Sequence, residues 1–283
     1  MNRSPGFDVD REDRGFSRAG ADAEERRKPL DRQRSDVRYG RQIYSWSELE
    51  RAVLAEIGKF RTLDESDVQR VFYGGMERPF RQDQRHLIAQ GLVQRRAITV
   101  GKNRDVRHVV VLTKRGKRLL HAQRIAPTNQ ALYAGFVKPA EASHDASVYA
   151  MYEAEASRLN GEGNTIRRVV LDFEFKRAIF AELNRPGDYA ETAYKRREAD
   201  IAARLDLPIV EGKVALPDLR IEYEAADGEL RHIDLELATE HYRPSHIRSK
   251  VAAGFKLYGT NSTSRGRRAE WEGRELTAGV LAL

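Results

Sequence analysis

The sequence has no cysteine in 283 residues. This removes disulfide scaffolds, thiolate zinc sites and cysteine nucleophiles together. Any metal is left to the carboxylates and the 7 histidines, an oxygen-rich set that favours Mg²⁺ or Mn²⁺ over structural Zn²⁺. Proline is scarce, with 9 residues, and no apolar run comes near the roughly 18 residues that span a bilayer. With 33% of residues charged, this excludes membrane-spanning, collagen-like and wholly disordered chains. The opening stretch MNRSPGFDVDREDRGFSR lacks the apolar segment of a secretory leader, so the expected location is cytoplasmic.

What is present is charge, unevenly placed. Residues 1–40 carry 10 basic and 9 acidic groups, residues 41–126 carry 18 and 9, and residues 127–283 carry 22 and 25. The middle segment thus holds an excess of nine positive charges, the footprint of a module that meets a polyanion such as nucleic acid. A hydrophobic fraction of 40% suffices for the cores of two domains. Residues 1–40 mix both signs without apolar periodicity and read as a disordered arm.

From Ser47 the pattern is helical. Ser47 and Glu50 make a capping box ahead of Leu49, Val53, Leu54 and Ile57, predicting a helix that ends near Gly58. A second helix is expected over residues 64–72, closed by Gly74 and Gly75, and a third over residues 78–90, closed by Gly91. Residues 92–98 and 106–112 read as a hairpin around Gly101-Lys102-Asn103-Arg104-Asp105, followed by a helix capped by Thr113. Three helices, a hairpin and a helix are the order of a winged helix-turn-helix, assigned to residues 41–126.

On the third helix Phe80, Leu87 and Ile88 share the packing side, and Arg78, Arg81, Gln82 and Arg85 fall largely on the other. Arginine and glutamine are types that pair bidentately with guanine and adenine edges in the major groove. Lys102, Arg104 and Arg107 on the hairpin suit phosphates, and Arg95 and Arg96 on its first strand complete the expected set for double-stranded DNA. The plainer alternatives are a solvated helix face or a protein-docking module. Gly91-Leu92-Val93-Gln94-Arg95 and Val111-Leu112-Thr113-Lys114-Arg115-Gly116 resemble the phrases that enter and leave the wing in winged-helix DNA-binding domains.

Residues 127–140 read as a linker and residues 141–283 as an α/β domain, making the whole chain α+β. Expected there are a helix over residues 145–159, a strand over 166–175, a helix over 189–205, strands over 217–223 and 230–238 around Asp227-Gly228, and a closing strand over 276–283. In the 230–238 strand, Asp234 and Glu236 share one face, and Ile233, Leu235 and Leu237 share the other. Asp218 could add a third carboxylate from the paired strand. Three acids are costly to bury together without a partner, and a divalent cation is one solution. A half-exposed antiparallel strand would show the same alternation. His241 and His246 lie five apart around Pro244, poor spacing for one metal.

The order helix, strand, Pro217-Asp218 strand, acid-x-acid strand and helix resembles the core of the PD-(D/E)xK nuclease superfamily. The resemblance implies a mixed central sheet, with Asp218, Asp234 and Glu236 as catalytic ligands of Mg²⁺ or Mn²⁺. The acid motif falls on Asp234-Leu235-Glu236 or on Glu236-Leu237-Ala238, and neither supplies the usual lysine. Lys250 would lend the ammonium from the next helix, and Glu153 or Glu155 a further acid. Joined to a winged helix, these phrases resemble the replication-relaxation family of plasmids and other mobile elements. Further phrases that carry this are Leu87-Ile88-Ala89-Gln90-Gly91-Leu92-Val93, His144-Asp145, and Asp234-Leu235-Glu236-Leu237-Ala238-Thr239-Glu240 with Lys250 and Tyr258. The implied function is DNA binding in replication or transfer. A Mg-dependent endonuclease, or a transcriptional regulator or protein-binding adaptor with a degenerate nuclease domain, stays open beside it. A homodimer is compatible with such folds, although no heptad or exposed apolar stripe establishes one.

Overall fold

The computed structural model describes residues 30–100, 104–184, 191–238, 242–259 and 280–282. The chain begins with a two-stranded ribbon, β1 (Ser35–Tyr39) and β2 (Gln42–Trp46), turned through Gly40 at φ 61°. The arm expected over residues 1–40 therefore gives way to structure by Ser35. The reason is local: Arg34 and Arg32 reach buried carboxylates, and Trp46 and Tyr44 enter the core.

Helix α1 (Glu48–Phe60) starts at the expected capping box, with Glu50 N donating to Ser47 Oγ and Ser47 N to Glu50 Oε2. Next come β3 (Leu63–Asp64), α2 (Glu65–Tyr73) and α3 (Glu77–Ala89). The antiparallel strands β4 (Val93–Val100) and β5 (Asp105–Leu112) follow, then α4 (Lys114–Ala122). β3, β5 and β4 form one antiparallel sheet in that order. Thr113 caps α4 by accepting from Gly116 N, and its hydroxyl donates to Gly91 O. Gly116 has a steric role: a Cβ there would lie 2.3 Å from the Leu92 carbonyl oxygen. On α3, Phe80 and Leu87 are buried, whereas Ile88 is 38% exposed and does not join the packing side expected for it.

The second half is a mixed five-stranded sheet in the order β12-β11-β10-β9-β6, from β6 (Thr165–Leu171), β9 (Leu219–Glu224), β10 (Leu230–Ala238), β11 (Lys256–Gly259) and β12 (Val280–Ala282). β6, β9 and β10 are antiparallel neighbours, and β10, β11 and β12 run parallel. Helix α5 (Pro139–Gly161) covers one face, where Leu171, Leu219, Ile221, Leu235 and Leu237 lie. Helices α6 (Asp172–Leu183) and α7 (Glu191–Arg204) cover the other, with Val170, Phe175, Ile179 and Ile201. A short pair, β7 (Ile209–Val210) and β8 (Lys213–Val214), precedes β9, and α8 (Pro244–Ala252) lies between β10 and β11.

Two boundaries differ from the sequence reading. The strand expected over residues 166–175 stops at Leu171, because Phe175, Ile179 and Leu183 repeat at helical spacing and pack as one stripe. Residues 127–140 are no free linker, and residues 31–283 form one compact unit. Gln130 Nε2 donates to Val169 O, and Gln130 Oε1 accepts from Val169 N, both at 2.9 Å, as a strand partner would. Tyr133 N donates to Gly58 O and Gly135 N to Leu112 O. The two halves also share a core: the Phe60 ring lies 4.9 Å from Tyr149 and 4.6 Å from Tyr152 of α5.

Candidate nucleic-acid interface and carboxylate cluster

α3 places Arg78, Gln82 and Arg85 at positions i, i+4 and i+7, on one exposed face. Arg96, Arg104 and Arg107 are exposed on the hairpin. Arg104 sits at φ 54°, in the left-handed turn leading into β5. Lys102 lies outside the described residues. Between the end of α3, β4 and the start of α4 runs a groove of about 810 Å³ lined by Ile88, Gln94, Arg95, Arg96, Lys114 and Arg115.

Two arginines of the expected set are engaged elsewhere. Arg81 Nη1 donates to Glu65 Oε2 at 2.7 Å, and Arg95 Nε to Glu65 Oε1 at 2.6 Å. Glu65 is 5% exposed and also accepts from Gln84. Burial pushes its carboxyl up, but the hydrogen bonds from Arg95, Arg81 and Gln84 outweigh that and hold it below the ordinary range. Arg81 and Arg95 thus neutralise a buried acid, and the free face of α3 is Arg78, Gln82 and Arg85.

Asp83 on the same helix is 3% exposed and pairs with Arg34 at 2.8 Å and Arg32 at 3.2 Å. Fully buried Glu50 pairs with Arg34 at 2.9 Å and lies 2.8 Å from His86 Nδ1. The residues before β1 therefore clamp α3 to α1. Sequence reading missed this, because carboxylates on α1 and α3 look like ordinary surface charge until tertiary packing covers them.

In the second half, Asp218, Asp234 and Glu236 occupy the sheet face expected for them, but not as one site. Among the described residues no group of three His, Asp or Glu side chains is placed to hold a metal ion. Asp234 lies opposite Arg220 in register, and its two oxygens accept from Arg220 Nε at 2.7 Å and Nη2 at 2.8 Å. Arg220 also donates to the Leu205 and Asp206 carbonyls and lies over the Phe175 ring. The cation that makes Asp234 tolerable is this arginine, which the sequence did show two residues beyond Asp218.

Asp218 and Glu236 do come together. Asp218 N donates to Glu236 Oε2 at 3.2 Å, and Asp218 Oδ2 accepts from Leu237 N at 2.9 Å. Lys250, expected beside them, has Nζ 2.8 Å from Glu236 Oε1 and 2.7 Å from Leu216 O. Tyr242 donates its phenolic hydrogen to Glu236 Oε1. Glu236 is 1% exposed; burial, then the charge of Asp218, raises its pKa from 4.5 to about 7 against the pull of Lys250 and Tyr242. His144 Nε2 stands 3.6 Å from Asp218 Oδ1, and this contact, opposed by burial, raises the imidazole pKa. With Arg220 on Asp234 and Lys250 on Glu236, the donor set does not fit the three-carboxylate Mg²⁺ or Mn²⁺ site of the expectation.

Glu155, a candidate further acid, lies fully buried in another cluster, holding Arg158, Lys256 and Tyr258. Thr239, Glu240 and His241 lie outside the described residues, as do the residues of the expected closing strand before Val280.

No protein-family model matches the chain, and no curated protein matches it. Among solved structures, the crystal structure of Bacillus subtilis PadR in complex with operator DNA is similar at 15% identity over 56% of this chain and 92% of that chain, with a TM-score of 0.23. So slight a likeness bears on neither fold nor function. No described helix is long and apolar enough to cross a membrane.

Proposed function

We propose that this protein binds double-stranded DNA with α3 and the β4–β5 hairpin, its N-terminal half acting as a winged helix-turn-helix. The observation that carries the reading is the exposed face of Arg78, Gln82 and Arg85, on a segment with nine excess positive charges and more free arginines on the neighbouring hairpin. α3 would enter the major groove, where Arg85 and Gln82 meet base edges and Arg104 and Arg107 meet phosphates. The second half is read as a nuclease-like domain of the replication-relaxation type, serving DNA transactions of plasmids or mobile elements in the cytoplasm. Its carboxylates are matched by Arg220 and Lys250, which supports a binding rather than a cleaving role.

The test is duplex binding at rising salt. Affinity should fall steeply, with a log–log slope near 0.9 for each phosphate contacted, and Arg78→Ala with Arg85→Ala should abolish sequence preference. Salt-independent binding would point instead to a protein-docking module. Supercoiled plasmid incubated with Mg²⁺ or Mn²⁺ should be retarded but not nicked. Nicking lost in Asp218→Ala would overturn the non-cleaving assignment.

A further inference from the structure

A cleft of about 890 Å³ opens on the α6–α7 side of the second sheet, against β6, β9 and the start of β10. Its lining carries Arg167, Arg168, Arg177, Arg204, Arg220 and Arg231 against three carboxylates, Glu174, Asp206 and Glu222. Most of these arginines are already matched: Arg167 by Glu224, Arg204 by Glu182, Arg220 by Asp234, and Arg231 by Asp227 and Glu229. Two are not fully used. Arg177 is exposed on α6, with no hydrogen bond or ion pair among the described residues. Arg168 donates through Nη2 to Glu174, but its Nε is buried and has no partner among the described residues.

An unmet buried N–H beside a free guanidinium is a donor pair for an anion carrying several acceptor oxygens. The rest of the wall is apolar and aromatic, with Phe175, Ala178, Tyr223 and Leu230, the last 79% exposed. That surface offers a planar ring a stacking and apolar contact. The start of β10 stands about 17 Å along the strand from Glu236, at roughly 3.4 Å per residue. The cleft is thus separate from the Asp218–Glu236 cluster.

We propose that this cleft binds a phosphate ester bearing a nucleobase: the phosphate on Arg168 and Arg177, the base against Tyr223 and Leu230. The same chemistry is offered by a free nucleotide and by a single nucleic-acid strand. The site is independent of the duplex interface on α3.

The experiment uses the full chain, titrated calorimetrically with dTMP and, separately, by fluorescence anisotropy with a labelled dT12 strand in the Arg78→Ala, Arg85→Ala background. Arg177→Glu is the decisive variant: its side chain is exposed and unpaired, so folding should be spared, as the thermal midpoint will show. Binding of dTMP identifies a nucleotide site, and binding of dT12 without dTMP identifies a strand site. In either case Arg177→Glu should weaken binding at least tenfold, while Arg177→Lys retains most of it and duplex affinity is unchanged. Absence of binding by both probes, or equal binding by the wild type and Arg177→Glu, overturns the proposal. Duplex binding, measured alongside, reports separately on α3.

Discussion

Arg61 and Asp145 form a two-pronged ion pair across the junction of the two halves, Nε to Oδ2 at 2.6 Å and Nη2 to Oδ1 at 2.8 Å. Arg61 follows the last turn of α1 at φ 68°, and its guanidinium lies over the Phe173 ring. Asp145 on α5 is 8% exposed, and burial raises its pKa despite Arg61. Beside it, His144 contacts Asp218. One short path of polar contacts thus joins the end of α1 to the carboxylate cluster.

Removing one partner of this pair leaves a buried charge unmatched. Arg61→Ala should cost about 3 kcal/mol in urea denaturation, and adding Asp145→Asn should recover much of it. Equal losses in the single and double variants would mean that the pair contributes no coupling.

Gly116 tests the close approach of α4 to the loop after α3. A methyl group 2.3 Å from the Leu92 carbonyl cannot be accommodated without moving backbone. Gly116→Ala should therefore destabilise the fold by about 1–3 kcal/mol, even though alanine is the better helix former. A raised unfolding midpoint would refute the clash.

Arg81 and Arg85 are adjacent in helical terms but differ in employment. Arg81→Ala removes a partner of buried Glu65 and should lower the thermal midpoint. Arg85→Ala, from an exposed side chain, should leave the midpoint within about 0.5 kcal/mol of wild type and weaken duplex binding instead. Circular-dichroism melts and binding isotherms on both variants will separate the two roles.

Glu236 sets a pH dependence of stability. Its folded pKa of about 7 lies above the ordinary 4.5, so the folded state holds a proton that the unfolded chain releases. The stabilisation from this group is fully present below about pH 4.5 and is lost as pH rises towards 7. Glu236→Gln should flatten that decline when midpoints are compared from pH 4.5 to 7.5. An identical decline in both proteins would assign it to other groups.

Where local rules govern, the sequence was explicit. Ser47-x-x-Glu50 made its capping box, Thr113 capped α4, and the 219–224 and 230–238 strands paired around Asp227-Gly228. Lys250 reached Glu236 as the resemblance implied. Its role, and the kinship with replication-relaxation proteins, rest on the proposal above. The employment of charge was less legible. Arg81 and Arg95 turned inward to Glu65, Asp234 found Arg220, and Arg34 joined the core from a stretch read as an arm.

The sequence by itself determined the order of helices and strands, the caps, and the segment where positive charge gathers, because these depend on near neighbours and on composition. Only the tertiary structure decided which carboxylates are buried and which cation answers each. A charged side chain's partner is set by what lies beside it after packing, often scores of residues away, as Arg61 and Asp145 are. The same packing separated Asp234 from Asp218 and Glu236 on one sheet face, since the arginine opposite in register takes the acid before a third group can reach it.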